Sequence, residues 1–253
     1  MGSARRIGLF ALGLAFIMVM VSAYRKTQFS AVNEIGVEIV PLEGGHSFLS
    51  PQEVRGMLDK RFEPELVGSR TAEVDLARVE QVLEEEPFIQ DADVYLNARR
   101  ELQVRIYQRM PVLRIMDNHD FNYYLDQDGL KMPLSSHYTA RVLTVTGNLP
   151  AYDPNFRGGR RNALAEVFEL AALIRQDEFL QPLIEQIHVA NNGDLTMVPK
   201  IGKQKILFGP CVDMEDKLHR LILFYKQGMP YVGWNKYDAI SLKYKGQVIG
   251  IKD

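Results

Sequence analysis

Residues Ile7 to Ala23 read IGLFALGLAFIMVMVSA, 17 positions without a charge. Arg5 and Arg6 precede the run, and Arg25 and Lys26 follow it. No soluble fold requires such a stretch at its start. As a helix it spans about 26 Å at roughly 1.5 Å per residue, slightly less than a ~30 Å hydrocarbon core. Tyr24 and the basic flanks sit in the interface and close that gap. The pattern predicts a transmembrane helix over 7–24. A cleaved signal peptide is the rival reading, since Val21-Ser22-Ala23 resembles a small-residue cleavage site, but 17 apolar residues exceed the usual 7–15 of a signal core. A buried helix of a soluble fold is a third. The charges on the two sides barely favour a cytoplasmic N-terminus. Size decides: six residues precede the run and about 230 follow it, so both membrane readings export the bulk. The expected order is a cytoplasmic tail at 1–6, the membrane helix at 7–24 and a linker at 25–36.

Charge narrows the function further. Lys and Arg number 30 against 32 Asp and Glu, a net charge of −2. Without residues 1–24, which hold two arginines and no acid, the net charge is −4. A general nucleic-acid binder usually carries a marked basic excess, so no nucleic-acid partner is expected. An anionic membrane surface does not attract the exported part either. The single cysteine, Cys211, excludes a disulfide within the chain and any Cys-based zinc cluster.

The exported part divides in two. In the first region VEIV at 37–40 predicts a strand. Ser50, Pro51 and Glu53 then spell a capped helix start: an N-cap hydroxyl, a proline at the first helical position and the acid of a capping box. Val54, Met57, Leu58 and Phe62 follow at helical spacing. A second helix is predicted from about Asp75, with Leu76, Val79, Val82 and Leu83 as its apolar stripe. Glu84–Glu86 and Pro87 end it. Ala92, Val94 and Leu96, then Leu102, Val104 and Ile106, alternate with polar residues across NARR, which predicts a hairpin with one buried face. Strand, helix, helix, strand, strand over about 70 residues makes a small layer of two helices on three strands.

The second region starts near Pro111. Strand signals stand at 112–116, 122–125 and 141–147. A helix is expected from about Asn162 to Gln176, and NNGD at 191–194 predicts a hairpin turn. KILFG precedes a helix capped by Asp213, with Leu218, Leu221, Ile222 and Tyr225 as its apolar face. Gly228 and Pro230 are expected to stop it. AISLKY, a Lys-Gly-Gln turn and VIGIK close the chain. The overall class is α+β.

Chemistry is scarce. The five histidines show no H-E-x-x-H or other i, i+4 pair. There is no G-x-S-x-G, no G-x-x-x-x-G-K-[ST] and no G-x-G-x-x-G. Asp126-Gln-Asp128-Gly129 looks like the start of a calcium loop, but no acid stands at the twelfth position, so it reads as a β-turn. Arg99 and Arg100 read as a hairpin turn. No catalytic, cofactor or metal residue is expected.

The order of these segments resembles the bacterial cell-division family FtsQ/DivIB over nearly the whole chain. Pro87, Ile89, Ala92 and Val94, followed by Leu102, Val104, Ile106, Arg109 and Pro111, are similar to the family's POTRA signature. FNYYLDQDG, RVLTVTG, KILFG and AISLKYKGQVIGI resemble its later motifs, with Ser241 where an acid is common and Lys243 where arginine is common. The wording resembles the Bacteroidetes branch. The resemblance implies a POTRA module at 37–110 and a β-rich α+β domain at 111–253. It implies a non-catalytic, single-pass inner-membrane scaffold at the division septum, its bulk periplasmic. The partners implied are FtsB/FtsL-type coiled-coil division proteins, bound by strand addition near the end of the chain. The residues implied are Ile240, Leu242, Tyr244, Gly246, Val248, Ile249 and Gly250. Read from spacing alone, Ile240, Leu242 and Tyr244 alternate against Ser241 and Lys243, which suits a core face as well as an interface. Two other classes compete. A membrane-anchored periplasmic enzyme requires a pocket with converging carboxylates or histidines. An outer-membrane assembly or secretion factor requires a barrel of ten-residue strands.

Overall fold

The structure is a computed structural model and describes residues 16–18, 20, 31–62, 65–118, 121–158, 162–234 and 236–252. The expected membrane helix lies outside these residues, apart from Phe16, Ile17, Met18 and Met20, which are helical and exposed. Among the described residues no helix is long and apolar enough to cross a membrane. The chain divides into two compact units, Met1–Arg109 and Met110–Asp253.

The first unit runs β1 (Glu34–Val40), α1 (Pro51–Arg61), α2 (Leu76–Glu84), β2 (Ile89–Leu96) and β3 (Glu101–Gln108), with a single 3₁₀ turn at Glu43–Gly45. The sheet order is β1-β3-β2. β1 lies parallel to β3, and β2 antiparallel to it. The start of α1 follows from its first residues. Ser50 Oγ accepts from the Glu53 amide at 3.3 Å, and the Ser50 amide donates to Glu53 Oε2 at 2.7 Å. Asp75 caps α2, its Oδ1 accepting from the Arg78 amide at 3.1 Å. Val54 and Leu58 of α1 and Val79 and Leu83 of α2 bury fully, together with Leu102, Val104 and Ile106 of β3. Each such side chain contributes about 1.5–3 kcal/mol relative to exposure. One expectation needs correcting. β1 begins at Glu34, so the linker expected over 25–36 does not reach as far as 36. Ile35 is buried and pairs with Leu102, which extends the strand toward its start.

The second unit is built on a nine-stranded sheet. Its elements are β4 (Pro111–Asp117), β5 (Asn122–Asp126), β6 (Lys131–Met132), β7 (Leu143–Gly147), α3 (Ala163–Gln176), α4 (Leu180–Leu183), β8 (Ile184–Val189), β9 (Leu195–Pro199), β10 (Lys205–Gly209), α5 (Met214–Leu223), α6 (Met229–Val232), β11 (Ala239–Ser241) and β12 (Ile249–Ile251). The order across the sheet is β12-β11-β10-β9-β8-β7-β4-β5-β6, an open sheet rather than a barrel. Leu164, Val167, Leu170 and Ile174 of α3 and Leu218 and Leu221 of α5 share one core with Ile115, Val145, Ile187, Met197, Ile206 and Ile240 of the strands. These helices and strands therefore define a covered face of the sheet.

One local expectation, the β-turn at Asp126, holds and two change. Asp126 is buried and its Oδ1 accepts from the amides of Asp128, at 2.9 Å, and Leu130, at 2.8 Å, so this carboxylate closes a turn. Asp213 stands at the start of α5 but with φ 49, and its side chain makes no capping bond. Gly228 and Pro230 do not stop the helix. It widens into a π turn over Phe224–Gly228 and continues as α6 to Gly233, where φ is 86. Pro230 falls in the first turn of α6, directly after the π turn.

Candidate partner-binding edge

β12 ends the nine-stranded sheet, and among the described residues it has one strand neighbour, β11. The register is antiparallel: Ala239 faces Ile251, Ile240 faces Gly250 and Ser241 faces Ile249. β11 is in turn parallel to β10, with Ile206 beside Ile240. A strand bonded on one side turns its remaining N–H and C=O groups outward, where another strand can take them. The first unit differs at its β2 edge: there the Val94 amide donates to Glu80 Oε1 at 2.9 Å, so a side chain occupies that position.

Cross-strand partners share a face of the sheet. Ile240 is wholly buried, so its partner Gly250 lies on the covered face, and Ile249 and Ile251 lie on the other, each 37% exposed. The covered side of Gly250 is taken by Tyr237. A Cβ at position 250 would stand 2.5 Å from Tyr237 Cε1, so this close approach needs glycine. Val248 is partly buried and packs against the core.

A family model described as FtsQ/DivIB, C-terminal related, matches residues 110–250. The chain belongs to the FtsQ/DivIB family. A second model, a POTRA-like domain, matches residues 33–107, the strand-helix-helix-strand-strand unit. No curated protein matches the chain. The FtsQ/DivIB family is a non-enzymatic family of cell-division proteins.

The FtsQ/DivIB resemblance pointed to seven residues, and the fold separates them. Ile240 and Leu242 are fully buried and belong to the core: Ile240 lies on β11, an interior strand of the sheet, and the Leu242 amide just beyond it donates to the Leu207 carbonyl at 2.9 Å. Ser241, which alternates with them, is buried as well. Tyr244 lies outside both strands, in the connection between them, and is 60% exposed. Gly246 makes the bend of that connection at φ 69. Ile249 and Gly250 are on the edge strand itself. Ile251, Tyr237 and Arg220 were not among the seven. The I-x-I spacing of 249 and 251 was a visible signal for the first. Tyr237 and Arg220 act through contacts distant in sequence, which no local pattern reveals.

Two further contacts hold this end of an FtsQ/DivIB-type sheet. Lys243 Nζ lies 2.5 Å from Asp194 Oδ2, tying the β11–β12 connection to the β8–β9 turn. The hydrogen bond from Lys243 holds the Asp194 carboxyl below its ordinary value. Lys217 is buried, donates to the Pro210 carbonyl at 2.7 Å and lies over the Phe208 ring. Burial pushes its pKa down. Elsewhere in this unit a hollow of about 540 Å³ is bounded by Asp117, Phe121 and the N-terminus of α3 among others, with Asp117 as its one carboxylate among the described residues. Among the described residues no three His, Cys, Asp or Glu side chains converge as a metal site.

Proposed function

We propose that the chain is a bitopic, non-catalytic scaffold of the bacterial division machinery. Residues 7–24 hold it in the inner membrane with the N-terminus cytoplasmic, and the bulk works in the periplasm at the septum. Its sheet accepts a strand from an FtsB/FtsL-type coiled-coil partner along β12. The observation that carries this reading is the position of Ile249–Ile251 at the open end of the sheet, with apolar side chains on one face. Main-chain hydrogen bonds supply affinity in such pairing, and side-chain contacts supply selectivity. Ile249 and Ile251 offer a half-exposed apolar pair to the incoming strand, and exposed Tyr244 offers an aromatic anchor beside it.

The test is capture of an FtsB/FtsL-type partner by the full-length chain purified from membranes. Tyr244→Ala removes one anchor, which costs about 2 kcal/mol, or roughly 30-fold in affinity. The melting temperature should not move, because Tyr244 lies outside the core. Unaltered capture by the variant would remove Tyr244 from the interface.

A further inference from the structure

Arg220 lies on α5, one turn beyond Asp216, and its side chain is 10% exposed. Its Nε donates to Asp216 Oδ2 at 2.9 Å. Its Nη1 donates to the carbonyls of Tyr244, at 3.0 Å, and Gln247. Its Nη2 reaches the Leu242 carbonyl at 3.4 Å, the weakest of the set. All three carbonyls belong to the connection between β11 and β12. Leu242 and Tyr244 precede Gly246, which turns the chain, and Gln247 follows it. One planar guanidinium therefore spans both arms of the bend. Its donors are held in a rigid fork, so it fixes the spacing of those carbonyls as well as attracting them.

The rest of the connection is held near its ends: the Leu242 amide donates to the Leu207 carbonyl at 2.9 Å, Lys243 pairs with Asp194, and Val248 packs against the core. Inside it the Gln247 amide donates to the Tyr244 carbonyl at 3.3 Å. Beyond it, β12 meets β11 through three residue pairs. A ribbon that short is marginal without added support. Hydrogen bonds from an ionised donor are roughly twice as strong as neutral ones, so Arg220 is a large share of what holds the bend from Tyr244 to Gln247, which leads into the edge strand.

We infer that Arg220 is the positioning residue of the partner edge: from α5 it holds the β11–β12 connection so that Ile249–Ile251 stands as a strand ready for pairing. The inference rests on the reading that β12 receives the partner. Asp216 takes part by holding the guanidinium at its Nε, so the presentation of the edge is set by two residues of one helix. Lysine at 220 would keep the charge and lose the fork, so charge alone does not replace it.

The test uses the full-length chain in detergent micelles and reads amide hydrogen exchange beside capture of the FtsB/FtsL-type partner. In Arg220→Ala and Arg220→Lys, exchange at 249–251 should quicken about tenfold or more, with β8 and β9 unchanged. Asp216→Asn, which keeps all of Arg220's donors to the connection, should show a smaller increase at the same residues. Capture should fall at least tenfold in both Arg220 variants. Unchanged exchange at 249–251 would overturn the inference, as would faster exchange spread evenly over β8, β9 and β12. Faster local exchange with capture intact would overturn the link to partner binding. If the unaltered chain captures the partner away from β12, the reading of the edge fails. The exchange result then still decides whether Arg220 holds the connection.

Discussion

The ring of Tyr237 packs against the backbone of Gly250, so closely that a Cβ at that position would stand 2.5 Å from the ring. The contact seals the covered face of the sheet at its last strand, and it makes position 250 intolerant of a side chain. Gly250→Ala should displace the ring and cost about 1–3 kcal/mol through overpacking. Adding Tyr237→Ala should relieve most of that cost. A double-mutant cycle in denaturant checks this, and additive effects of the two substitutions would contradict the contact.

Acid should loosen the same end of the sheet through Asp194. Its carboxyl is held below the ordinary 3.8, first by the hydrogen bond from Lys243. A depressed carboxylate pKa gives stability that is present above the unfolded value and lost as pH falls through the folded one. The pair is partly exposed and screened by solvent, so the effect is below about 1 kcal/mol. Thermal unfolding across pH should show Asp194→Asn less stable than the parent at neutral pH. The two should converge below about pH 4, the ordinary carboxylate range.

The POTRA-like unit gives a separate check on local sequence signals. Ser50→Ala removes the acceptor for the Glu53 amide and should destabilise this unit by about 1 kcal/mol. Ser50→Gly should cost only a few tenths, roughly, because glycine is a tolerated N-cap. Chemical denaturation of the two variants measures the difference.

Local chemistry made much of this fold legible. Ser50, Pro51 and Glu53 mark the start of α1 because capping is decided within four residues. Alternation at Leu102, Val104 and Ile106 marks β3 because a strand with one covered face must alternate. The order of the nine strands was not legible. β7 lies between β4 and β8, and β10 lies beside β11, through pairings between segments far apart in sequence. The π turn over 224–228 escaped because Gly228 and Pro230 look like a stop until the helix widens around them. At the candidate site, alternation over 240–244 read as one strand, but the strand ends at Ser241 and only Ile249–Ile251 forms the outer edge. Arg220 and Tyr237 had no signature, since their roles come from what the fold sets beside them.

In the proposed function, β12 takes a partner's backbone. A structure of the full-length chain in complex with an FtsB/FtsL-type protein decides whether it does. An extended partner segment should run beside Ile249–Ile251 at the ordinary strand spacing of about 4.8 Å, with main-chain hydrogen bonds between them. A partner bound elsewhere, with the outer side of β12 still facing solvent, would contradict it.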